Sequence, residues 1–162
     1  IDYVGTVSDI DTTLVTRSGL KGYLEGGSTS GSANYLNALK SSNSGIIAEH
    51  KRRSPSRENI NSSLTVHEVA KGYASAGVCG MSVLTDLKYF GGSLEDLTAA
   101  RAVCDLPLLR KEFIIDPYQL VEAKAHGADV ILLIAAVLDR QQIQSLSSTA
   151  QSLGLEVLLE VH

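Results

Sequence analysis

Apolar runs that recur at even spacing, each followed by a helical pattern, predict an α/β fold built on a parallel sheet. Strand-like runs near 45–51, 80–85, 106–111, 129–134 and 156–160 return about every 25 residues, the cadence of βαβ units. Three of them, Ile46-Ile47-Ala48-Glu49-His50-Lys51, Leu106-Pro107-Leu108-Leu109-Arg110-Lys111 and Leu155-Glu156-Val157-Leu158-Leu159-Glu160, begin apolar and close in Lys or Glu. An apolar start suits a strand covered on both faces. Charge at the far end is costly to bury unpaired, so it marks the place where the strands open toward a substrate. In parallel α/β barrels, catalytic residues occupy that end of several strands.

The elements follow in order. Residues 1–32 are rich in Ser, Thr and Gly and end in Gly26-Gly27-Ser28-Thr29-Ser30-Gly31-Ser32, which reads as a flexible arm. A short helix is expected over 33–41, and the alternation then begins. The helix over 66–76 carries Val66, Val69, Ala70 and Tyr73 on one face. The helix over 93–103 starts at Ser93 as N-cap, with Glu95 and Asp96 at its positive end. Asp116 caps a helix over 117–126, Pro117 occupies its first turn and Gly127 stops it. The last helix, 139–152, is capped by Asp139 and stopped by Gly154. Residues 33–162 therefore carry five strands and four crossovers, where a closed barrel of this type has eight strands and typically ~250 residues.

At 162 residues, 44% of them hydrophobic and 20% charged, the chain has the composition of one α/β domain. A formal net charge of -4 gives no electrostatic reason to expect nucleic acid or an acidic membrane surface. No apolar run reaches the roughly 20 residues that span a bilayer. Cys79 and Cys104 lack metal-ligand or CxxC spacing and lie in apolar stretches, so they read as buried free thiols. The four histidines are scattered, and no metal site is expected. Lys51-Arg52-Arg53 is either a solvated loop or an attraction for an anionic substrate. Phe90-Gly91-Gly92-Ser93 reads as a turn leading into an N-cap, with an anion cradle as the alternative.

Side chains alternate across a strand, so Glu49 and Lys51 share a face and His50 points the other way. Lys111 joins them from the third strand and Glu160 from the fifth, which makes one charged stratum from alternate strands. Two Lys/Glu pairs in a partly dry cavity are acid–base equipment: burial lowers a lysine pKa and a neighbouring carboxylate raises it. The competing reading is a pair of surface salt bridges at strand ends.

The run from Ile46 through Lys51-Arg52-Arg53-Ser54-Pro55-Ser56 resembles the first-strand signature of the indole-3-glycerol phosphate synthases. Ser82-Val83-Leu84-Thr85-Asp86, Tyr89-Phe90-Gly91-Gly92-Ser93 and Leu108-Leu109-Arg110-Lys111-Glu112-Phe113-Ile114-Ile115-Asp116-Pro117-Tyr118-Gln119 are similar to later family segments. Gly127-Ala128-Asp129 through Ile134, and Leu155 through His162, continue the resemblance over residues 33–162. It implies the first five strands of a TIM barrel and a tryptophan-pathway lyase. Its substrate would be 1-(2-carboxyphenylamino)-1-deoxyribulose 5-phosphate, closed to an indole with loss of carbon dioxide and water. No metal or redox cofactor is implied. By position, Lys111 would be the general acid, Glu160 the general base, and Glu49 and Lys51 the groups that position and polarise substrate. Ser54 would lie in a closing loop, and Phe90 would wall the anthranilate ring.

Three departures stand out: Glu58 where the family usually has glycine, an unfamiliar arm before Ala33, and the lack of strands six to eight. Loops after strands seven and eight commonly hold phosphate in such barrels. The open sheet implies a covering partner, whether a complementary fragment, a second copy or a host assembly. A catalytically inactive derivative serving as a structural subunit is the alternative role. The expected compartment is a bacterial cytoplasm or a plastid stroma.

Overall fold

The computed structural model describes residues 35–161; the arm over 1–32, the start of the first expected helix and His162 lie outside them. Five strands form one sheet, β1 (Ile47–His50), β2 (Gly80–Leu84), β3 (Leu108–Lys111), β4 (Val130–Ile134) and β5 (Glu156–Glu160). All neighbours pair in parallel, in the order β1-β2-β3-β4-β5. Helix α1 (Tyr35–Ser41) precedes β1, and α2 (Val66–Ser75), α4 (Leu94–Arg101), α5 (Pro117–Ala125) and α6 (Arg140–Ser152) fill the crossovers. A one-turn helix, α3 (Leu87–Phe90), was not expected. It is too short to show a period, but Asp86 caps it by accepting from the Tyr89 and Phe90 amides.

The expected strands are trimmed at their ends. β1 stops at His50, which leaves Lys51 one residue beyond it, and β3 starts at Leu108 because Pro107 has no N–H to give a ladder. The helix ends obey their caps: Thr65 and Glu68 form a capping box at α2, Asp116 accepts from the Tyr118 amide and Asp139 from the Gln142 amide.

Alternation along the strands makes two layers. On the helix side, Met81, Val83, Leu108, Ile131 and Leu133 join Val66, Leu97, Leu120 and Leu146 in the main core. Burying each such side chain stabilises the fold by about 1.5–3 kcal/mol. On the opposite, inner face, Leu109, Val130 and Leu132 pack with Tyr35 and Leu39 of α1. Helix α1 thus closes the inner face at its N-terminal end. The Glu156 carboxylate, from the last strand, accepts the Tyr35 amide at 2.5 Å and the Leu36 amide at 3.2 Å. The Tyr35 ring lies so near the start of β2 that a Cβ on Gly80 would stand 2.9 Å from it, and only glycine fits there. Burial, helped by Cys79 and Glu156, pushes the Tyr35 phenol up to about 12.

Candidate active site

Three of the four charged residues singled out in the sequence meet at the C-terminal end of the sheet. Glu49 Oε1 lies 2.7 Å from Lys51 Nζ, and its Oε2 accepts from Lys111 Nζ at 3.1 Å. The second contact crosses β2, whose Ser82 stands opposite Glu49 in register and whose Leu84 stands opposite Lys111. One carboxylate therefore serves two ammonium groups. His50 points away and is buried on the helix side at 2% exposure, as alternation requires.

The electrostatics of the trio are set by competition. Burial pushes the Glu49 carboxyl up, but the hydrogen bonds and charges of Lys51 and Lys111 outweigh it and hold the group below its usual range. Glu49 is thus an anion that orients two cations. Each ammonium carries three donors, one of which goes to Glu49. The trio has a net positive charge, which suits an anionic reactant. Its side chains are 28–39% exposed, open enough to be reached.

Glu160 ends β5, opposite Ile134, and its carbonyl accepts from the Ala135 amide at 2.9 Å. Glu156 reaches α1 on the inner face, so Glu160, four residues on, shares that face. Glu160 stands at the predicted strand end, and the ion pairs that join the trio run over β1 to β3. Ser54 pairs with Arg57 in a small antiparallel bridge, and its hydroxyl lies 3.1 Å from that of Ser56. Phe90 is half-buried at the end of α3, where its carbonyl accepts from the Arg53 amide.

Within the basic run, Arg52 and Arg53 are engaged by protein groups, and Lys51 belongs to the trio. Arg52 forks onto the Asp96 carboxylate and onto the Gly91 carbonyl, which raises the guanidinium's pKa. Arg53 donates to the Leu87 and Lys88 carbonyls. Both pin the segment after β1 to the segment after β2. Beside them an open cleft of about 340 Å³ is lined by Arg52, Arg53, Glu58, Asn59, Ser62 and Gly91, and by none of the trio. The Gly-Gly-Ser turn is spoken for as well. The Gly91 amide donates to Leu87, Gly92 to Asp86 and Ser93 to Asp96, so it is a turn and cap with no amide left for an anion.

Sequence reasoning missed Arg110, which is 4% exposed on the helix side of β3. It also missed Ser82 on the inner face, whose hydroxyl is buried without a hydrogen-bond partner among the described residues; Tyr35 Oη and, on the helix side, His50 Nε2 are buried in the same way. Burial lowers the His50 pKa, aided by Arg52 and opposed by Asp96. Alternation alone could have placed Arg110 and Ser82, since each sits on a strand whose faces were known. Cys79 and Cys104 are buried and free. Among the described residues no three His, Cys, Asp or Glu side chains gather to hold a metal ion, and no helix is long and apolar enough to cross a membrane.

The inner face thus carries charge at the ends of alternate strands, β1, β3 and β5, in a parallel sheet closed at its other end, and the sequence matches a family model described as indole-3-glycerol phosphate synthase over residues 12–162. The chain belongs to that family. The match begins within residues 12–32, which the sequence reading had set apart from it. A relative of the same name from Bacteroides thetaiotaomicron is 54% identical over 125 residues, covering 77% of this chain and 48% of the relative. Others from Nocardioides sp. and Burkholderia cenocepacia are 49% and 51% identical over 76% and 74% of this chain. The chain spans about half the length of the curated relatives it matches. Its five parallel strands with intervening helices are those of a partial TIM barrel.

Proposed function

We propose that this chain carries the acid–base half of an indole-3-glycerol phosphate synthase and works when the remaining strands complete the barrel. The observation that carries the reading is the Glu49 carboxylate between Lys51 and Lys111, in a chain of this family. The substrate is 1-(2-carboxyphenylamino)-1-deoxyribulose 5-phosphate. Lys111 protonates the ribulose carbonyl as the ring carbon attacks it. The carboxyl group then leaves as carbon dioxide, and loss of water, with Glu160 as general base, completes the indole. Glu49 directs both ammonium groups, and Lys51 meets the substrate's negative charge. Phe90 walls the aromatic ring, and Ser54 belongs to the segment that covers it. The named relatives are bacterial, and a bacterial cytoplasm is the compartment this reading implies; nothing favours a plastid.

The test is formation of indole-3-glycerol phosphate by the chain alone and with the C-terminal half of the Bacteroides relative added. Turnover in the mixture, abolished by Lys111→Met, is expected. Turnover that survives Lys111→Met, or none with a complex demonstrably formed, would overturn the reading.

The second reading, an inactive structural subunit, is favoured by one observation. The edge strands expose apolar side chains: Ile46 and Ile47 beside β1, and Leu158, Leu159 and Val161 along β5. Such edges call for a covering partner. A folded, soluble monomer in size-exclusion chromatography would remove that motive.

A further inference from the structure

Arg110 occupies a position where the fold asks for an apolar residue. Its counterparts on the helix side of the neighbouring strands, in register or nearly so, are Val83 and Ile131, both fully buried hydrophobics. Arg110 is buried as deeply, and burial lowers its pKa even though Glu122 and Glu112 oppose that shift. Its guanidinium joins the end of β2 to α5. Nε donates to Thr85 Oγ1 at the end of β2 at 3.2 Å. Nη1 donates to the Gln119 carbonyl of α5 at 2.6 Å, and Nη1 and Nη2 both reach Glu122 Oε2 at 3.4 Å. Thr85 Oγ1 in turn donates to Glu112 Oε2 at 2.7 Å.

The two residues flanking Lys111 are thus both tied down on the face opposite its side chain. Lysine is a flexible stem with a compact charge, so where its ammonium stands depends on how well its backbone is held. A buried ion pair is weak evidence of stabilisation, since an apolar side chain of similar size often serves as well or better. A fork anchored at the end of β2 and on α5 does something an apolar residue cannot, which is to fix the end of β3 in position and orientation.

We infer that Arg110 is the positioning residue for Lys111, holding the end of β3 against Thr85 and α5 so that the ammonium meets Glu49. The inference rests on the acid–base reading of Lys111. Glu112 and Thr85 complete the brace. Arg110 stays behind the sheet and touches no reactant.

The test uses Arg110→Met in the full chain and needs no turnover for its first arm. Thermal melting and the NMR signal of the Lys111 ammonium are compared with wild type, with Lys111→Met to assign that signal. Melting is expected to be unchanged or raised, while the ammonium signal moves or is lost. Thr85→Val, which removes one link only, should shift it less, and Arg110→Lys should not restore it because a point charge cannot span three partners. In the reconstituted assay, kcat should fall about tenfold to a hundredfold with KM little changed, and Arg110→Met should add nothing once Lys111 is Met. A lower melting temperature with an unaltered ammonium signal would make Arg110 a structural brace and overturn the inference. If Arg110→Met fails to fold, the Thr85→Val signal decides in the same way. Activity that persists in Lys111→Met would instead strike the acid–base reading itself.

Discussion

The two ends of the sheet both carry ion pairs, and they are built in opposite ways. At the N-terminal end, Arg101 reaches Asp129 at 2.7 Å and also donates to the carbonyls of Gly127, Cys104 and Leu106. Asp129 in turn accepts the Leu108 amide at 2.9 Å. Both partners there are tied to backbone groups as well as to each other, as Glu156 is tied to the first amides of α1. At the C-terminal end, the Glu49 trio is held by side chains alone and keeps donors to spare. A pair whose partners are loop carbonyls staples the fold; a pair whose donors are left over can meet a ligand. That contrast agrees with the general division of labour in such barrels, chemistry at one end and stability at the other.

The contrast breaks most visibly under two substitutions that should trade places. Glu49→Gln should lower turnover of the reconstituted enzyme by about a hundredfold or more. It should cost under about 1 kcal/mol of stability, because the pairs it breaks are part-exposed and screened. Arg101→Met should leave kcat intact and cost about 2–3 kcal/mol, since it strands three carbonyls and a largely buried carboxylate. Urea midpoints and steady-state kinetics on the same preparations check both. A large loss of stability in Glu49→Gln would mean that the trio is structural after all.

A smaller effect sharpens the geometry of the open end. A Cβ on Gly92 would stand 1.9 Å from the Leu84 carbonyl oxygen. Gly92→Ala must therefore push the segment after β2 away from the strand, at about 1–3 kcal/mol. Arg53, which holds that segment at the Leu87 and Lys88 carbonyls, would be displaced with it. The urea midpoint reads the cost, and an unchanged midpoint would show that the segment yields freely.

What the sequence disclosed of this contrast was uneven, for physical reasons. Strands and helices were legible because burial imposes a period and caps have a chemistry: Asp116, Pro117 and Asp139 read directly as helix starts. The charged stratum was legible because Glu49, Lys51, Lys111 and Glu160 break apolar runs, where charge is expensive. The sharing of one carboxylate by two lysines was not, because reach across β2 depends on register between strands far apart in sequence. The contacts of Arg52 and Arg53 were hidden for a related reason, since their partners, Asp96 and the carbonyls of α3, lie some forty residues on. Arg110 was hidden in plain view, adjacent to Lys111 in a run whose alternation already put it on the buried face. Lysine 111 drew the attention because of its place at the strand end; the residue behind it needed partners on α5 that no local pattern announces.

The smallest effect is also the one that separates the two ends by sign. Glu49 is held below its usual carboxyl range, so its contribution to stability is present above its ordinary pKa of 4.5 and is lost as pH falls through the lowered folded value. Asp129 goes the other way. Burial raises its pKa from 3.8, and the Leu108 amide and Arg101 only partly offset that. Its contribution is therefore full below 3.8 and is lost as pH rises through the raised folded value. Thermal melts from about pH 3 to about pH 7 on wild type, Glu49→Gln and Asp129→Asn resolve the two. On acidification, the advantage of wild type over Glu49→Gln should shrink, while its standing relative to Asp129→Asn should improve. Equal signs would mean that burial, and not the two lysines, governs Glu49. The carboxylate would then hold its proton more readily and anchor the ammonium groups less well, which would weaken the case for the open end as the seat of chemistry.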